Sequence, residues 1–171
     1  MFFPDQTFLG AVGIDGDGNR RLLGLRAGSP HSADNVRGLI EEVVGRHTGQ
    51  APPAVFVVGE WPHLTNGVKE RFGRSVMVQR CRYEKHRHAL GLLPPALQAD
   101  LLEALLDAYA QEEVRAVKRS LQRLARSIEA DHPDVAEVLH DGLDETLTLR
   151  RLGVAEPLRP RAGRAQPAPD A

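Results

Sequence analysis

The sequence predicts an α/β protein: a mixed sheet with flanking helices, followed by an all-helical module. Three observations lead there. Two short apolar runs flank a glycine- and aspartate-rich turn near the start. A continuous β-branched run, Ala54-Val55-Phe56-Val57-Val58, lies between prolines and a glycine. From Leu97 onward the apolar residues repeat only at helical spacing.

Thr7–Ile14 is short, apolar and β-prone, and the apolar character resumes from Arg21 to Leu25. Between them Asp15-Gly16-Asp17-Gly18-Asn19 supplies turn residues, so the two runs read as a β-hairpin. Gly28-Ser29-Pro30 ends it, with Ser29-Pro30 as the expected helix entry. Val36, Leu39, Ile40, Val43 and Val44 then make one helical face. After Pro52-Pro53, Ala54–Val58 reads as a strand buried on both faces. Leu64, Val68 and Phe72 mark a short helix, and Ser75–Gln79 a further strand. Arg82–Leu93 is polar and basic up to the break at Pro94-Pro95. Leu97, Leu101, Leu102, Leu105 and Leu106 form one stripe, and Val114, Val117, Leu121, Leu124 and Ile128 a second. Pro133 opens a third helical segment with Val135, Val138, Leu139 and Leu143. Residues 1–93 thus read as the α/β core and 94–155 as the helical module. Residues 156–171, with Pro157, Pro160, Pro167 and Pro169, read as a disordered tail.

Composition narrows the function classes. With 22 Lys and Arg against 23 Asp and Glu, there is no whole-molecule positive field, so nucleic-acid contact requires a local patch. The single cysteine, Cys81, rules out an intrachain disulfide and a cysteine-only metal site. No apolar run approaches the about 18 residues of a membrane span. The start Met1-Phe2-Phe3-Pro4-Asp5 lacks the basic and apolar regions of a signal peptide, so a cytoplasmic location is expected.

Several segments, in order and spacing, resemble the Mutator-type bacterial insertion-sequence transposases. They are Ala11-Val12-Gly13-Ile14-Asp15-Gly16-Asp17-Gly18, Leu23-Gly24-Leu25, Val55–Val58, Val78-Gln79-Arg80-Cys81-Arg82 with Lys85, Leu92-Leu93-Pro94, Gly142–Thr148, and Arg151-Leu152-Gly153-Val154. Each piece is weak by itself; the ordered set, over roughly residues 6 to 156, is specific. The resemblance implies a ribonuclease H-like core, partial in this chain, with an all-helical insertion. It also implies two-metal phosphodiester chemistry on transposon DNA, usually with Mg²⁺. Two such ions, about 4 Å apart, stabilise the attacking and leaving oxygens and need carboxylates from separate segments.

That requirement can be checked position by position. The family's first aspartate lies on a strand upstream of the hairpin, and most of that strand is expected to be missing; Asp5 does not match the motif. The second directly follows the buried strand, where this chain has Gly59 and then Glu60. Gly59 carries no ligand. Glu60 is one residue late, which on a strand points to the opposite face, and it is expected to be solvated. The third acidic residue belongs to a helix beyond Val154, where this sequence runs into its Pro/Arg tail. The family also places a histidine three residues after the cysteine, where Glu84 stands. No catalytic and no metal-binding residue is therefore assigned, and no cofactor is expected in this chain, against Mg²⁺ in the parent family.

Other features admit two readings. Cys81, His86 and His88 make a zinc site or, more simply, a half-buried thiol beside two histidines, since a structural zinc site wants four ligands. Arg80, Arg82, Lys85, His86, Arg87 and His88, with Tyr83, form a dense basic cluster that either grips DNA phosphates and stacks on a base or is a solvated helix face. The DNA-contact candidates are Arg80, Arg82, Tyr83, Lys85 and Arg87. Asp15 and Asp17 suit a hairpin turn better than a calcium loop, whose twelfth position would fall on Arg26. Asp144 and Glu145, adjacent on a helix, do not face one site together. Three functions follow: an inactive transposase remnant that binds DNA or pairs with an intact transposase or itself, a helical protein-interaction module without a nucleic-acid role, and a nuclease using Asp5 and Glu60. None involves a membrane.

Overall fold

The computed structural model describes residues 7–46 and 53–154. Asp5 and the proline-rich segment from residue 156 lie outside the described residues. Among the described residues the expected alternation of strands and helices is present, but the strands form two two-stranded sheets in place of one mixed sheet. The chain divides into two compact units at Met77/Val78.

The first unit opens with the antiparallel hairpin of β1 (Phe8–Ile14) and β2 (Arg20–Ala27). The Asp15 carboxylate builds the turn. Its Oδ1 accepts from the backbone N–H groups of Asp17 (3.0 Å) and Asn19 (2.9 Å), and its Oδ2 from the Asn19 amide (3.1 Å). A bulge between Ala11 and Val12 breaks the two-residue alternation, because Val12 pairs with Leu22 and Ala11 with Gly24. Gly24 therefore faces the following helix, α1 (Ala33–Arg46), where a Cβ would meet side-chain carbons of Leu39 at 3.0 Å and Val43 at 3.1 Å.

α1 begins after Ser32, later than the expected entry at Ser29-Pro30. Ser32 Oγ accepts from the Asn35 N–H (3.3 Å), whereas Ser29 Oγ is used by the His31 N–H in the preceding turn. Leu9, Val36 and Leu39 form the buried centre, with Ala11, Ile40, Val43 and Leu64 packed around them. β3 spans only Phe56–Val58, and Val57 is 54% exposed, so this strand is not buried on both faces as its composition suggested. α2 (Pro62–Phe72) starts with proline in its first turn and buries Thr65 and Val68.

The second unit begins with β4 (Val78–Arg80), displaced from the expected Ser75–Gln79. α3 (Arg82–Gly91), α4 (Pro95–Ala110), α5 (Val114–Ile128) and α6 (Pro133–His140) follow. A 3₁₀ turn (Asp144–Leu147) leads into the one-turn α7 (Thr148–Arg151). Ala89, Leu101, Leu105, Val117, Leu121, Ala125, Val135, Leu139 and Leu147 are among its buried centre. This unit starts at Val78, with a strand ahead of its helices. The reason is hydrogen bonding: Thr148 Oγ1 donates to the Val78 carbonyl (2.7 Å), and the Gln79 side chain donates to the Thr146 carbonyl (2.9 Å) and accepts from the Leu149 N–H (2.9 Å). Among the described residues no helix is long and apolar enough to cross a membrane.

Candidate nucleic-acid interface

The basic segment begins at β4, and its first cation is turned inward. Arg80 is 5% exposed and bridges two carboxylates, Asp141 (2.5 Å) and Glu145 (2.9 Å). Gly142 lies between them with φ +58°, and a Cβ there would fall 2.6 Å from the Arg80 guanidinium carbon. Only glycine suits both the left-handed backbone and the close approach. Lys85, on the inner face of α3, is buried and donates to the Asp141 carbonyl. The two groups are therefore part of the interior of the helical unit.

The remaining cluster residues divide by helical phase. His86 is buried, its ring tilted against Tyr109 at 5.3 Å between centroids. Burial, followed by the charges of Arg82 and Lys85, pulls its pKa down to about 4, so the ring is neutral at pH 7. Its Nε2 has no hydrogen-bond partner among the described residues. Arg82 is half-buried with its guanidinium 4.8 Å from the Tyr109 ring centroid. Tyr83, Arg87 and His88 are exposed. Of the five DNA-contact candidates, the fold thus presents Tyr83 and Arg87 to solvent, half-presents Arg82 and encloses Arg80 and Lys85.

Cys81 is a half-buried free thiol at the N-cap of α3. Among the described residues no three His, Cys, Asp or Glu side chains come together in a way that holds a metal. Asp144 and Glu145 do diverge: Lys118 binds Asp144 at 2.7 Å, while Glu145 turns to Arg80. A cavity lined by Gln79, Arg82, Tyr109, Thr146 and Arg150 has a volume of about 10 Å³, room for one water and no substrate.

In the first unit, Gly59 directly follows β3 and Glu60 comes next. Glu60 is 7% exposed, in contrast to the solvated residue expected of a loop glutamate. Trp61 packs its ring against His31 at a centroid distance of 4.0 Å.

Comparison with family models decides the ancestry. The model for "Transposase, Mutator family" matches residues 4–156 of the 171-residue chain. The chain belongs to the Mutator transposase family. None of the curated proteins compared matches it. Gly59 and Glu60 lie within the matched span. The matched span also covers the helical unit, so its buried network around Arg80 lies within the family region. Gln79 and Glu145 stood in segments that carried the family resemblance, but nothing in the sequence marked them, or Asp141, as partners of Arg80.

Proposed function

We propose that this Mutator-family chain is catalytically silent and retains DNA binding. Residues 1–93 are read as a partial ribonuclease H-like core and residues 94–155 as the helical insertion. The observation that carries the first part is Gly59. Two divalent cations need several hard oxygen ligands converging on one point. At the end of β3 the chain offers a residue without a side chain and then one carboxylate, Glu60, buried at 7% exposure. This donor set does not fit a pair of Mg²⁺ ions, and no catalytic step is derived through them.

DNA binding is supported by family membership and by the outer face of α3, where Arg87 and Tyr83 are exposed beside Arg82. Arginine contacts of this kind go to phosphates and are sequence-independent. A second reading, a protein-interaction module, is favoured by α4, which leaves Leu97, Leu102 and Leu106 at 41%, 38% and 50% exposure. In that reading the module has no nucleic-acid role; pairing with an intact transposase or a second copy belongs to the first reading.

Incubation of the purified chain with supercoiled plasmid and Mg²⁺ or Mn²⁺ tests silence. No nicking above a protein-free control is expected. Metal-dependent nicking that Glu60→Ala abolishes overturns it. A salt-dependent titration with duplex DNA separates the two binding readings, because only the first gives an affinity that falls steeply with salt.

A further inference from the structure

The second unit carries another basic surface, formed by helical spacing and not by a run of adjacent residues. α5, Val114–Ile128, contains five basic and no acidic residues: Arg115, Lys118, Arg119, Arg123 and Arg126. At about 100° per residue, the four arginines fall within an arc of roughly 80°. Val117, Leu121 and Ala125, at 0%, 3% and 0% exposure, occupy the opposite side and are consumed by the core of the unit. All four arginines are exposed. None of them forms an ion pair with a carboxylate among the described residues, although Arg123 donates to Ser120 Oγ at 3.0 Å. Lys118, by contrast, is neutralised by Asp144. In a chain of net charge −1, four uncompensated guanidinium groups aligned on one helix concentrate positive potential locally.

We propose that the outer face of α5 binds the phosphate backbone of duplex nucleic acid through Arg115, Arg119, Arg123 and Arg126. The row spans about 16 Å of rigid helix at about 1.5 Å per residue, long enough to meet several phosphates of one strand, which advance by about 3.4 Å per base pair. Guanidinium groups present forked donors that match phosphate oxygens. α5 carries no aromatic residue on which an unpaired base stacks, which favours a duplex over a single strand. Its apolar side is enclosed, so it has nothing to insert into an anionic lipid surface. The acidic residues nearest in sequence, Glu112 and Glu113 before the helix and Glu129 and Asp131 after it, flank the row without interrupting it.

This surface rests on the DNA-binding proposal above, and the test separates the two. The full chain is titrated with a fluorescently labelled duplex of about 20 base pairs over a series of salt concentrations. The same is done with a quadruple variant, Arg115→Gln, Arg119→Gln, Arg123→Gln and Arg126→Gln. All four positions are exposed, so the variant is expected to keep its circular dichroism spectrum and melting temperature. The slope of log affinity against log salt is expected to become shallower by about 3 to 4, at about 0.9 for each phosphate no longer neutralised, with affinity falling on the order of tenfold or more. A variant with lysine at all four positions should keep most of the slope. If the parent chain binds duplex and the glutamine variant binds with unchanged slope, the α5 surface is wrong and DNA binding stands. If the parent chain binds no duplex, both are wrong. Binding to phosphatidylserine vesicles in place of duplex likewise overturns both.

Discussion

Arg80 shows what a basic residue costs and gains when the fold encloses it. A guanidinium at 5% exposure has lost most of its water, and only close carboxylates offset that loss. Asp141 and Glu145 supply them, at side-chain exposures of 53% and 20%. Arg80→Ala should therefore destabilise the chain by about 2–4 kcal/mol in urea unfolding, somewhat under the value for a fully buried pair because Asp141 can rehydrate. A loss below about 0.5 kcal/mol would show that the pairs are surface-like. His86 gives a pH dependence of defined sign. Its folded pKa, about 4, lies below the unfolded value near 6.5, so between these limits the unfolded chain binds the extra proton. Stability conferred by the neutral ring is present above about pH 6.5 and is lost as pH falls toward 4, by roughly 3 kcal/mol at most. Replacing His86 with glutamine should flatten the pH 4–6.5 limb of the stability curve; an unchanged limb would place the effect elsewhere. Neither the burial of Arg80 nor that of His86 was legible in the sequence, where the whole stretch from Arg80 to His88 reads as one basic cluster. The partners of Arg80 lie 61 and 65 residues away, beyond the reach of local pattern.

At the scale of the element, periodicity located the helices well and their buried faces less well. The hairpin, α2, α4 and α5 fall where turn residues and apolar spacing put them, while α1 starts later than expected and α6 ends at His140, before Leu143. The leucine stripe of α4 is wider than the side it buries: Leu101 and Leu105 are 6% and 1% exposed, while Leu97, Leu102 and Leu106 remain outside. A single-sequence stripe marks what can be buried, and the packing neighbours select from it. Leu105→Ala should cost about 2–5 kcal/mol, as for a fully enclosed leucine, and Leu106→Ala less than about 0.5 kcal/mol. Equal losses at the two positions, read by thermal or urea unfolding, would mean that α4 is rotated from the phase described. The strands were harder to place. β3 and β4 have three residues each, too short for alternation to define a face, and β-branched composition alone made β3 look doubly buried when Val57 is exposed. In α5 the pattern did hold a signal that a search for adjacent charges passes over. Arg115, Arg119, Arg123 and Arg126 are separated in the sequence by mostly uncharged residues, and only helical phase aligns them.

At the scale of the whole molecule the two units differ in how much core each owns. Among the described residues the first has five buried apolar residues, with Leu9, Val36 and Leu39 in one cluster and Val58 and Val68 outside it. Its hairpin leaves Phe8, Val12, Ile14, Leu22 and Leu25 at 54–64% exposure. The second encloses thirteen buried residues from Ala89 to Leu147, and its β4 and 3₁₀ segments are tied together by Gln79, Arg80 and Thr148. Apolar burial contributes roughly 1.5–3 kcal/mol per large side chain, against about 1–2 kcal/mol of backbone entropy per ordered residue, so stability depends on core density. A fragment of residues 78–154 should then unfold in one cooperative thermal transition with its helical circular dichroism intact. A fragment of residues 7–77 should show no such transition, and at higher concentration its exposed hairpin face and strand edge should drive association visible by light scattering. A cooperative, monomeric first fragment would mean that this smaller core and the packing of α1 on Gly24 suffice. A helical fragment that fails to fold would mean that its core is not self-sufficient and that the division at Met77/Val78 marks no energetic boundary.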